Sequence, residues 1–332
     1  MNRFFTFFLI VSLTISCKAQ NIPTKTEIVE HYGFEQKSIK ADNEEIVFYT
    51  YQKDKQNKTK LIIYLQGSDP SPQFSYRIKD DKIQKLCWLN GEFNSISEEY
   101  LYVVIEKIGF EKVINEDNIP KPKIYQEKNS LGNRVSRANS VIEHLTANNA
   151  FEKVIAYGHS EGAPVGAKLA TVNNKITHLG FWAGNALPDY YDFILESRIE
   201  FYKGSISDSV AQSRIDKNIN GFKELVKDSL NTKGNSYTNL RWWSYSEPPI
   251  NNLLKINIPI YVQVATLDKS APIESSYLIP LEFARLKKSN LTYKVCVGCD
   301  HGFSLTNKDG KVERKWKEIF MNFIEWTEKN VP

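Results

Sequence analysis

One short stretch constrains this chain more than any other. Residues 154–166 read Val-Ile-Ala-Tyr-Gly-His-Ser-Glu-Gly-Ala-Pro-Val-Gly. Val154, Ile155, Ala156 and Tyr157 form an apolar run of the kind a buried strand presents. Gly158 and Gly162 flank Ser160, and residues 163–171 continue with the composition of a helix. A chain that turns this sharply from strand to helix leaves no room for side chains at the shoulders of the turn, a requirement glycine meets. Ser160 is then expected in a strained backbone conformation with its hydroxyl directed outward. The helix N-terminus behind it sets backbone N–H groups and a positive dipole where an oxyanion would form. A solvated serine in a glycine-rich loop is the plain alternative, and the choice between them rests on what accompanies Ser160 elsewhere in the chain.

A serine hydroxyl is a weak nucleophile at neutral pH and needs a base within hydrogen-bond reach. The chain has five histidines. Position along strands separates them, because functional groups of a parallel sheet gather at the C-terminal ends of its strands. His301 follows the apolar run 291–297 and so falls on the same sheet edge as Ser160. His159 adjoins the serine, but the turn is expected to send its side chain elsewhere. His178 falls at the start of the strand expected at 176–183, the end away from Ser160, and His144 reads as a packed helix residue. The base in turn needs a carboxylate to hold its tautomer. Asp268 ends the strand expected at 258–265 and is the expected acid, with Asp189 as runner-up. Asp300 is too close in sequence to His301 to reach its ring. Ser160, Asp268 and His301 are therefore the expected catalytic residues. The backbone N–H groups of Glu161 and, from the Gln66-Gly67-Ser68 turn, of Ser68 are the expected oxyanion donors. That turn also reads as an ordinary proline-rich loop.

The rest of the chain supplies a scaffold of alternating strands and helices. Strands are expected at 45–52, 61–65 and 101–105, and helices at 130–148, 280–288 and 312–328. The continuous apolar run 61–65 has the character of a strand buried on both faces. Residues 22–40 read as a linker. Between 187 and 255 the strand rhythm stops and aromatics mix with a helical stretch at 210–230. This segment is expected to be a helical cap over the sheet edge; an irregular crossover whose aromatics only pack is the alternative. A net charge of +4 without a basic stripe interleaved with aromatics excludes a nucleic-acid partner. No cofactor or metal is expected.

The first residues differ from the rest. Arg3 precedes a mostly apolar run over 4–15 that is too short to span a bilayer and reads as a signal sequence over 1–19. Ser16-Cys17 resembles the end of a lipobox, which would leave Cys17 as a lipid anchor, although Thr14 stands where leucine is usual. Cleavage after Ala19 is the other reading. In both cases the domain 20–332 is expected to be exported, as a periplasmic protein or membrane-anchored lipoprotein. Cys87, Cys296 and Cys299 remain, an odd number, and Cys296-x-x-Cys299 lacks the second pair a zinc site needs. A loop-stiffening disulfide and two reduced cysteines both stand as readings.

These pieces together resemble the α/β-hydrolase superfamily: Leu61-Ile-Ile-Tyr-Leu-Gln-Gly67-Ser68, Gly158-His-Ser-Glu-Gly162, Thr266-Leu-Asp268-Lys-Ser-Ala-Pro272 and Asp300-His301-Gly302. The resemblance covers about residues 40–330, and the order nucleophile, acid, histidine is the superfamily's order. It implies an eight-stranded, mostly parallel central sheet flanked by helices, and acyl transfer through an acyl-serine. The implied activity is that of a serine hydrolase acting on a small-molecule carboxylic ester. A peptidase of the same fold and a non-catalytic binding lipoprotein are the alternatives. Glu161 beside the nucleophile admits two readings, contact with a substrate amine or a structural salt bridge.

Overall fold

A computed structural model of the chain describes residues 21–53, 58–90, 92–147, 149–234 and 237–330. The expected signal sequence at 1–19, with Cys17, lies outside the described residues. Eight strands build one sheet: β1 (Phe34–Ala41), β2 (Glu44–Tyr51), β3 (Lys60–Leu65), β4 (Tyr100–Ile105), β5 (Lys153–His159), β6 (His178–Trp182), β7 (Ile260–Ala265) and β8 (Leu291–Cys296). Across the sheet they run β1-β2-β4-β3-β5-β6-β7-β8. β1 and β2 form a hairpin, β2 is antiparallel to β4, and every later neighbour is parallel. The main helices are α1 (Leu131–Ala147), α2 (Gly162–Val172), α3 (Asp189–Tyr202), α4 (Asp208–Lys227), α5 (Asn239–Ser244), α6 (Leu278–Arg285) and α7 (Trp316–Lys329).

The period of two along each central strand divides the core. Leu61, Ile63 and Leu65 of β3 point to one face, where they join Ala138 and Ile142 of α1 and Val165 and Leu169 of α2. Ile62 and Tyr64 point to the other, with Tyr157, Trp182 and the α7 residues Phe320 and Phe323. Both faces are covered, so these strands read as unbroken apolar runs rather than alternating ones. Each such fully buried side chain stabilises the fold by about 1.5–3 kcal/mol.

The amino-terminal part departs from expectation. Residues 22–40 hold helix Lys25–His31 and strand β1 rather than a linker. The helix starts at a capping box, in which the Thr24 hydroxyl accepts from the Glu27 N–H and the Glu27 carboxylate accepts from the Thr24 N–H. β1 is an edge strand on which only Phe34 is fully buried, so no apolar periodicity marks it. A second hairpin, Phe74–Lys79 with Lys82–Cys87, lies outside the expected strands. The last helix starts at Trp316, because Val312–Arg314 pairs as a short strand with Ser304–Thr306.

Between β6 and β7 the chain runs through α3, α4, α5 and helix Pro249–Leu253. Its aromatics pack on one another: Tyr190 lies 4.6 Å from Phe222 and 5.3 Å from Trp242, ring centre to ring centre. The helices α3 and α5 of this segment line a cavity shared with Ser160.

Candidate active site

At the end of β5 the two glycines of the turn are explained by contact. A Cβ on Gly158 would lie 1.9 Å from the Gly162 carbonyl oxygen, and one on Gly162 would lie 1.9 Å from the Leu65 carbonyl oxygen. Between them Ser160 sits at φ +56°, in the left-handed region that costs a non-glycine residue about 1–3 kcal/mol. Two backbone bonds fix it there. The Ser160 N–H donates to Trp182 O at 3.0 Å, and Ala163 N–H donates to Ser160 O at 2.9 Å.

The loop after β3 lies against this turn, for a Cβ on Gly67 would stand 3.4 Å from Ser160 Cβ. Two cations strap it down: the partly buried Arg134 donates to Gln66 O and the buried Lys107 Nζ to Asp69 O. Burial and the neighbouring Arg134 charge bring the Lys107 pKa down to about 7, against the pull of Glu161, Asp69 and Glu106. Ser68 lines the cavity that Ser160 lines.

Asp268 and His301 meet as expected. His301 Nδ1 lies 2.9 Å from Asp268 Oδ1 and 2.8 Å from Oδ2. A carboxylate only accepts, so Nδ1 carries the proton and Nε2 is left as the basic nitrogen. Asp268 Oδ1 also accepts from the N–H groups of Ser270 and Ala271, at 2.9 and 2.8 Å. The acid and histidine loops are laced together by Leu267 N–H to Cys299 O at 2.9 Å and Gly298 N–H to Thr266 Oγ1 at 2.7 Å. Cys296 and Cys299 are joined by a disulfide at the base of the histidine loop. Asp300 accepts from the N–H groups of Gly302 and Ser304 and so shapes its own loop.

His159 has a closer connection than the sequence indicates. Its Nε2 lies 2.8 Å from His301 O, and the two rings are 4.9 Å apart. Burial, aided by the adjacent His301, lowers its pKa to about 3, so the ring is neutral and Nε2–H donates to the carbonyl. It thereby ties the histidine loop to the residue preceding Ser160. His178 is fully buried and bonded to Thr177 Oγ1 and Asn330 O, and His144 is exposed.

Of the two readings of Glu161, the structure shows the salt bridge. Its Oε1 lies 2.7 Å from Arg134 Nη1, and its Oε2 accepts from Arg241 Nε at 2.8 Å and from Arg241 Nη2. Burial acts to raise its pKa, but Arg241, Arg134 and Lys107 together hold it at about 2. Asp189, the runner-up acid, lies 3.3 Å from Arg241 Nη2 and serves that network instead of His301. The guanidinium of Arg241 also stacks 4.2 Å from the Trp242 ring centre. No local signal in the sequence marks Arg134, Lys107 or Arg241. Only a buried carboxylate at position 161 would have called for cations.

The eight-stranded order, the reversed second strand and the tight turn after β5 are one arrangement. The chain has the α/β-hydrolase fold. Structural comparison agrees across 90% of the chain with an acylaminoacyl peptidase from Pyrococcus horikoshii, at TM-score 0.56 and 12% identity, over 42% of that protein. A cold-adapted esterase from an Arctic intertidal metagenomic library matches at TM-score 0.51 and 9% identity, over 90% of this chain and 94% of that one. A membrane phospholipase A described as a bacterial virulence factor matches at TM-score 0.50 and 16% identity, over 91% of this chain and 89% of that one. The chain thus spans less than half of the peptidase it resembles. No family model and no curated protein sequence matches it.

In this α/β-hydrolase fold the cavity beside Ser160 measures about 520 Å³, within the range of small-molecule sites. Ser68, Ser160 and Glu161 line it together with residues of α3 and α5 and with Lys269 to Ala271. Among the described residues no group of His, Cys, Asp and Glu stands together as a metal site.

Proposed function

We propose that the protein is a serine hydrolase that cleaves carboxylic esters through an acyl-enzyme. The observation that carries the reading is the Asp268–His301 pair at 2.8 Å, on the sheet edge where residue 160 sits strained beside a cavity. In the mechanism, Ser160 Oγ attacks the ester carbonyl carbon while His301 Nε2 takes its proton. The backbone N–H groups of Glu161 and Ser68 hold the oxyanion. Collapse breaks the bond to the alcohol oxygen, which leaves with the proton from His301. Water then attacks the acyl-serine, giving its proton to His301, and the carboxylic acid departs as that proton returns to Ser160. Asp268 keeps Nδ1 protonated throughout and stabilises the imidazolium.

The helical unit 187–255 acts as a cap that excludes water from this chemistry, with Arg241 fastening it to the residue after the nucleophile. Export is supported by the Cys296–Cys299 disulfide, a linkage that persists in oxidising compartments. The test is labelling with a fluorophosphonate probe alongside turnover of p-nitrophenyl esters and the matching anilides. Wild-type protein should be labelled at Ser160, and Ser160→Ala should lower kcat on esters by about 10⁴-fold or more. Retention of most turnover in Ser160→Ala overturns the reading.

A further inference from the structure

The ion pairs around the nucleophile turn join Arg134 and Arg241 to Glu161 and Asp189, with Lys107 a further cation acting on Glu161. On the same cavity α3 then presents Asp192 and, one turn later, the exposed Glu196. Among the described residues no lysine or arginine is ion-paired with either. Asp192 is 7% exposed, and its Oδ1 has no hydrogen-bond partner. Asn185 is 6% exposed and lines the same cavity; its amide stands near enough to Asp192 to lower that carboxyl's pKa, yet neither its Oδ1 nor its Nδ2 makes an ordinary hydrogen bond. Buried polar atoms without partners are rare in folded proteins and mark places where something else completes the bonding. Two of the three atoms are acceptor oxygens, carried by residues that line a cavity on whose α3 side Asp192 and Glu196 stand. Their natural complement is a group rich in N–H donors that carries positive charge.

We propose that this end of the cavity receives a protonated amine of the substrate, so that the enzyme acts on acyl substrates bearing a cation. The inference rests on the serine-hydrolase reading above and adds a substrate class to it. The state of Asp192 agrees with it. Burial, with Asp189 and Asp268 nearby, pushes its carboxyl up to about 8, and the Asn185 amide offsets this only in part. The charged groups around it are Asp189 and Glu196 on its own helix, Asp268 and Lys269 after β7, and Arg241 on α5. Glu196 and Asp192 stand four residues apart on α3, and Lys269 lines the same cavity. With the cavity empty at pH 7 the Asp192 carboxyl is mostly neutral. An ammonium group draws it into the charged form, and the preference for cationic substrate strengthens as pH rises through about 8.

The experiment compares p-nitrophenyl esters of 3-aminopropanoate and 6-aminohexanoate with their neutral isosteres, butyrate and heptanoate, between pH 6 and 8.5. At pH 8.5 kcat/KM for at least one cationic ester should exceed that of its isostere by about tenfold or more, the effect of one charge-assisted hydrogen bond. The ratio should shrink toward pH 6. Asp192→Asn should bring it close to one and Glu196→Gln should reduce it. The ratio is taken within each variant, so altered stability cancels. Should Asp192→Asn fail to fold, butylammonium should protect wild-type Ser160 from fluorophosphonate labelling at pH 8.5 where butanol does not. A ratio at or below one for both pairs, a preference that survives Asp192→Asn, or equal protection by butanol overturns the inference. In that event labelling and neutral-ester turnover still stand, so the hydrolase reading survives. Absence of labelling together with absence of turnover removes both.

Discussion

Replacing Glu161 with glutamine tests the network that fixes the residue following the nucleophile. The carboxylate has a pKa of about 2 in the folded protein, against an unperturbed 4.5, and its side chain is 2% exposed. A lowered folded-state pKa means that stability is fully present above the unfolded value and is lost as pH falls toward the folded one. The difference corresponds to about 3 kcal/mol at pH 7, at roughly 1.4 kcal/mol per unit. It falls to about 1 kcal/mol by pH 3, where part of the carboxylate is already protonated. Breaking one partner of a buried ion pair gives an independent figure of about 3–5 kcal/mol, because Arg134 and Arg241 are left short of an anion. Urea unfolding of wild type and Glu161→Gln, followed by tryptophan fluorescence at pH 7, 5 and 3, reads both the size and the slope. The expected result is a gap of about 3 kcal/mol at pH 7 and 5 that narrows at pH 3. A gap below about 1 kcal/mol at pH 7, or one independent of pH, refutes the claim that the ionised carboxylate anchors the turn.

Other outcomes follow from the same geometry. Asp268→Asn should lower kcat on p-nitrophenyl butyrate by about 10³–10⁴-fold, because an amide N–H facing Nδ1 forces the proton onto Nε2. Steady-state kinetics check it, and loss of less than tenfold contradicts the assigned tautomer. Gly162→Ala should abolish soluble folded protein, since its Cβ would overlap the Leu65 carbonyl at 1.9 Å. Gly221→Ala is the contrast, because its Cβ meets nothing within 4 Å on the exposed side of α4. It should stabilise by roughly 0.5–1 kcal/mol, read as a rise in Tm.

Much of the sheet and the placement of Ser160, Asp268 and His301 were legible because strand ends are local events. An apolar run that stops at glycine, aspartate or histidine states where a parallel strand delivers its functional group, and the two glycines around Ser160 report their own crowding. Edge strand β1 was silent, since a strand with one buried residue carries no apolar period. The bond from His159 to the His301 carbonyl could not be read from a chain in which those residues stand 142 positions apart. Nor could the partners of Glu161, which come from α1 and α5, or the exclusion of Asp189 from the histidine. The order of residues along the chain thus determined which chemical groups reach the sheet edge. The packing of separate helices above that edge decided which charges cancel and which are left facing the cavity, because electrostatic pairing depends on distance in space, and sequence separation carries none of that information.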